Sequence, residues 1–146
     1  AALAEARRVL RSGGELAFNV WDSPARNRYA EMTDAVVGGF FPGNPPPFFQ
    51  VPFGYHDRKT LRSVMEGAGF AKVAVEEVAL DTTSPSAAEA AKGLVEGCPL
   101  IVQIQERGVS DPEPIVQAVA AKLASEFGRA PLRCKLGALW VAGTRS

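Results

Sequence analysis

The chain has 146 residues, 47% of them hydrophobic and 22% charged, which is the balance of an ordinary globular chain and enough for one domain with a sizeable core. Its 16 basic and 16 acidic residues cancel, so it carries no electrostatic footprint for nucleic acid or for an anionic membrane surface. No apolar run approaches the roughly 20 residues needed to span a bilayer, and the first residues form a charged amphipathic stretch rather than a secretory leader, so the expected location is cytoplasmic.

Residues 2–11 place Leu3, Ala6 and Leu10 at helical spacing, with Arg7, Arg8 and Arg11 on other faces or in the last turn, where they complement the helix dipole. Gly13 suits a left-handed helix end. Residues 15–21 read as a strand in which both alternating sets are largely apolar, Leu16, Phe18 and Val20 against Ala17, Asn19 and Trp21. That pattern predicts a parallel strand covered on both sides. Trp21-Asp22-Ser23-Pro24 ends it.

Tyr29 to Val37 predicts a short helix within 23–56, a segment otherwise broken by glycine and proline. Phe40, Phe41, Phe48, Phe49, Phe53 and Tyr55 are interleaved with the breakers. Rings at that density must cover something, which makes 23–56 an expected lid or binding loop. Asp57 caps a helix through Leu61, Val64, Met65 and Ala68 that ends at Gly69. A strand follows at 72–80, with a bulge or a polar edge expected at Glu76-Glu77. Ser86-x-x-Glu89 starts a helix over 86–96, Pro99 opens a second that Gly108 ends, and Ser110-Asp111-Pro112-Glu113 starts a third that runs to Gly128. The last strand is expected at about 133–144, with Leu139, Trp140, Val141 and Ala142 as its core.

Arg7-Arg8-Val9-Leu10-Arg11-Ser12-Gly13-Gly14 before a strand resembles the late motif of class I S-adenosylmethionine-dependent methyltransferases, with Ser12 where that family usually has proline. Arg62-Ser63-Val64-Met65-Glu66-Gly67-Ala68-Gly69-Phe70 looks like its step from helix through Gly-Phe to strand. The similarity is to the small-molecule group typified by ubiquinone and menaquinone biosynthesis. It implies an α/β fold: a partial Rossmann-like methyltransferase sheet made of the fifth strand (15–21) and the terminal antiparallel hairpin (72–80 and 133–144). Strand seven would lie between strands five and six. A helical insertion at 84–131 would separate the hairpin strands. On this reading 1–146 is a single partial domain, the C-terminal half of such an enzyme without its N-terminal cofactor-binding half.

S-adenosylmethionine is the cofactor the resemblance implies. The sequence, however, has no Gly-x-Gly-x-Gly after a strand, and Gly38-Gly39-Phe40-Phe41-Pro42-Gly43 is broken by proline. No residue is therefore assigned to the cofactor, and no methylation is expected from this chain alone. The implied substrate is a small, partly apolar molecule. Asn19 and Trp21, at the carboxyl end of the first strand, are either a substrate-facing wall or strand packing. Phe48, Phe49 and Tyr55 either line an apolar substrate pocket or form core or interface packing. His56 is either a general base or the residue that leads into the helix beside Asp57.

No metal site is expected: His56 is the one histidine, and Cys98 and Cys134 share no ligand-type spacing and are expected as free thiols. A different class of function is a non-catalytic dimerisation or ligand-binding module. A strand at 15–21 stripped of its neighbour has an open edge, and a homodimer joining two sheets satisfies it. Outside the family, the chain would be a small α+β binding domain in which 15–21 has two neighbours from the same chain.

Overall fold

The computed structural model describes residues 1–146. It is a mixed α/β structure with one three-stranded antiparallel sheet and six helices. Two compact units are distinguishable, one made of 1–23, 52–79 and 137–146, the other of 24–51 and 80–136.

The first unit opens with helix α1 (Ala2–Val9). It stops earlier than expected because Leu10 is already extended, at φ −68° and ψ 146°. Gly13 is therefore not its cap. At φ +76° it forms a tight turn instead, in which the Gly14 amide donates to the Arg11 carbonyl at 2.9 Å. Strand β1 (Glu15–Trp21) follows, and strand β3 (Leu132–Arg145) pairs with it antiparallel from Glu15↔Thr144 to Trp21↔Ala138.

The expectation of a parallel strand covered on both sides is corrected in two respects. The pairing in place is antiparallel, and the two faces are unequally covered. Leu16, Phe18 and Val20 pack on the core, whereas Ala17, Asn19 and Trp21 are exposed. The alternation was present in the sequence, but Ala17 and Trp21 are apolar enough to mask it. The α+β alternative finds no second neighbour for this strand, since the sheet order is β1-β3-β2 with strand β2 at Phe70–Ser84. The last strand thus lies between the other two, the order that the resemblance implies.

Helix α3 (Arg58–Gly67) carries Leu61 and Met65 into the core, both with no exposed surface. (Helix α2 belongs to the second unit and is described below.) The chain leaves α3 through Gly69 at φ +88°. On β2, Phe70 and Val73 are both buried although three positions apart. Lys72, at φ +52°, supplies the extra residue that resets the alternation. The irregularity thus falls before Glu76-Glu77, and those two carboxylates form an exposed polar stretch.

Leu61, Met65, Phe70, Val73, Leu139 and Val141 make the core cluster, with Leu3 and Leu10 against its side. Trp140, expected with them, is 37% exposed. A strand has period two, so the residue between Leu139 and Val141 must face the other way.

The second unit is helical around the far ends of β2 and β3. Its helices are α2 (Arg28–Gly39), α4 (Ala87–Val95), α5 (Leu100–Gln105) and α6 (Glu113–Phe127). Helix α6 packs on α4 and α2 through Ile115, Val116, Val119 and Leu123, all buried. Ser86 caps α4, its hydroxyl accepting from the Glu89 amide at 3.1 Å, and Gly128 at φ +90° ends α6. Residues 40–47 are held by Arg107. Its Nε donates to the Asn44 carbonyl at 2.8 Å, and its guanidinium lies 6.0 Å from the Phe41 ring centre. Cys98 and Cys134 are free.

Candidate functional site

Asn19 and Trp21 lie toward the carboxyl end of β1, and Tyr55 and His56 lead into α3. Trp21 closes the strand with its ring 5.7 Å from that of Phe53, tilted by 32°, and is 38% exposed. Asn19, two residues earlier on the same face, stands opposite Trp140 of β3. Tyr55 is exposed, and His56 is half-buried with Nδ1 at 2.6 Å from the Phe53 carbonyl. That bond fixes the ring beside the start of α3, where the imidazole has one nitrogen committed to the backbone.

Phe48 and Phe49 lie in the other unit. Their rings meet edge to face at 5.1 Å, and Phe49 is buried while Phe48 is half-buried. They end the loop in a 3₁₀ turn over Phe48–Gln50. The aromatic segment is thus divided: Phe40, Phe41, Phe48 and Phe49 belong to the helical unit, and Phe53 and Tyr55 to the sheet unit.

A charged group that the sequence reading passed over stands next to Trp21. Asp22 is 6% exposed. Its Oδ1 accepts from the Ser23 amide at 2.6 Å, and its Oδ2 lies 3.8 Å from the Arg58 guanidinium. Arg58 also meets Glu77 at 3.0 Å. An acidic residue just past the end of a strand was the available signal, but nothing in the spacing linked it to Arg58 or Glu77. Asp57, beside them in sequence, accepts from both the amide and the hydroxyl of Thr60, at 2.8 and 2.5 Å. These bonds hold its carboxyl below the usual aspartate range.

This part of the sheet unit carries a tilted aromatic pair, an amide, an imidazole and a buried carboxylate with its arginine. The positive-φ glycines are Gly13, Gly43, Gly69, Gly108 and Gly128, and none opens the loop after a strand, where a cofactor would need close approach of the main chain. No group of three histidine, cysteine or carboxylate side chains lies together as a metal site, and no helix is long and apolar enough to cross a membrane.

No family model matches the sequence, and no curated protein matches it. Among solved structures, the chain is similar to that of a "putative methyltransferase" from Bacillus halodurans C-125, at 13% identity and a TM-score of 0.47. The likeness covers 98% of this chain and 61% of that one, so the chain spans under two thirds of its neighbour's length.

Proposed function

We propose that this chain is the C-terminal half of a class I S-adenosylmethionine-dependent methyltransferase fold, and that it supplies the substrate side for methylation of a small, partly apolar molecule. The observation that carries the reading is the state of β1. One edge is paired to β3 in the order β1-β3-β2, and the other edge is free. On the more open face Ala17, Asn19 and Trp21, all exposed, lie beside Ala142, Trp140 and Ala138, of which Ala142 is buried. A fifth strand that continues into a parallel sheet needs that free edge, and helices covering the sheet need that apolar face. The motif through Gly13-Gly14 supports the same reading.

On this reading the cofactor is held by residues outside these 146, paired along the free edge. Asn19 and Trp21 meet the substrate, Tyr55 belongs to its apolar surroundings, and His56 is the candidate base. The test is calorimetry with S-adenosylhomocysteine. The chain alone is expected not to bind it. The chain joined to the first four strands of a class I methyltransferase is expected to bind it and to protect the β1 amides from exchange. Micromolar binding by the chain alone overturns the division of labour. A folded fusion in which β1 stays unprotected overturns the fold reading.

The free edge also favours a second reading, a non-catalytic module that pairs β1 with β1 of a second copy in a homodimer. A dimer by light scattering at micromolar concentration, with β1 amides protected and no nucleoside binding, supports it. A monomer overturns it.

A further inference from the structure

The helical unit holds a cavity of about 290 Å³ that uses none of the residues placed at the end of β1. Its apolar lining comes from Ala90, Gly93 and Leu94 of α4, Leu123 of α6, and Leu132 and Leu136 of β3. Leu123 and Leu132 are buried, so the cavity reaches the packed interior of that unit.

Gly93 lies at its mouth. The residue sits inside α4, where glycine is among the weakest helix formers. A Cβ built there meets no heavy atom within 4 Å. Gly93 is itself exposed, so it forms the open rim of the pocket, and Ala90, one turn earlier on the same face, keeps that rim free of bulk. An apolar cavity of about 150 Å³ holds one benzene ring, and this one has nearly twice that volume.

The polar lining sets the charge of what fits. Thr82, Thr83 and the Tyr29 phenol contribute hydroxyls, Cys134 a thiol, and Glu89 the single charged group. No lysine or arginine lines the cavity. Burial and the nearby Cys134 push the phenol up to about 12, and burial pushes the thiol up as well, so both stay neutral at physiological pH. An anion would find no countercharge there and a carboxylate to repel it.

We propose that this cavity binds a neutral, mainly apolar molecule of about two fused rings carrying one hydroxyl or carbonyl group. The site is complete within its own unit, so the inference stands whether or not the chain takes part in methyl transfer.

The test titrates naphthol and, separately, naphthoate into the full chain, followed by amide proton–nitrogen NMR. Naphthol is expected to give saturable shifts centred on Ala90, Gly93 and Leu123, and to bind at least about tenfold more tightly than naphthoate. Gly93→Leu fills the open space and is expected to weaken naphthol by about tenfold or more while the rest of the spectrum is kept. Gly93→Ala, which suits the helix better, is the control for folding and is expected to weaken binding by a smaller factor. The absence of saturable shifts, shifts centred elsewhere, or unchanged affinity in both variants overturns the proposal.

Discussion

Asn19 of β1 and Trp140 of β3 stand directly opposite each other across the antiparallel ladder, both exposed on the more open face of the sheet. In the adjacent pair of the ladder, Phe18 and Val141 also stand opposite each other, on the covered face against α3. The two pairs make opposite predictions. Asn19→Lys and Trp140→Ser are expected to leave the melting temperature within a few degrees of wild type and to abolish any pairing of β1 with a partner, read by light scattering and amide exchange. Phe18→Asp puts a charge into the core and is expected to unfold the sheet unit, with loss of the cooperative melt in circular dichroism.

Gly143 is a second point where β3 leaves no room. A Cβ there would lie 2.9 Å from Met65 Cε and 3.1 Å from Phe70 Cβ. The methionine can yield but the strand carrying Phe70 cannot, so Gly143→Val is expected to cost about 1–3 kcal/mol in urea unfolding, with Gly143→Ala at the lower end of that range.

Asp57 gives the acid side of the stability curve a specific contributor. Thr60 lowers its folded pKa below the ordinary value of 3.8. A lowered carboxylate stabilises the fold at pH above that ordinary value and loses its contribution as pH falls through the folded value. Asp57→Ala is expected to lower the melting temperature by a few degrees at neutral pH and to converge on wild type in strong acid. Asp57→Asn keeps an acceptor for the cap but has no proton to bind, so its acid limb is expected to be flatter.

Tyr29 acts at the other end of the scale. Its folded pKa is raised from 10.0 to about 12, by burial first and by Cys134 second. The neutral phenol therefore stabilises the fold in full below the unfolded value of 10.0, and that contribution is lost as pH rises through about 12. Ultraviolet titration is expected to show one phenol ionising near that upper value in the wild type and none there in Tyr29→Phe, whose stability is expected to fall less steeply in alkali.

Where local chemistry decides an element, it was legible in the sequence. Asp57 and Ser86 cap the helices expected of them, and Gly69, Gly108 and Gly128 take up positive φ where helices end. Elements decided by their neighbours were read less well. Trp140 was placed in the core because it is large and apolar, whereas register turns it outward. The end of α1 is set by Leu10 joining the sheet unit's core in an extended conformation, which no cap residue announces. At the candidate site, Trp21, Tyr55 and His56 stand out in the sequence because aromatic and imidazole groups are conspicuous there. Asp22 and Arg58 were missed, since a carboxylate and a guanidinium 36 positions apart meet only in space.

The pairing of β1 also sets a timetable. Trp21, the last residue of β1, has no strand partner until Ala138 exists, and Glu15 waits for Thr144. The Arg145 side chain then bonds the Arg8 carbonyl at 3.0 Å and the Leu10 carbonyl as well, at the end of the first helix. On a ribosome this helix and strand emerge before the helical unit, whose final residue is Leu136, and are finished only after it. For most of synthesis the apolar stripe of Leu16, Phe18 and Val20 is without its sheet, which makes the nascent first strand the segment most in need of a chaperone.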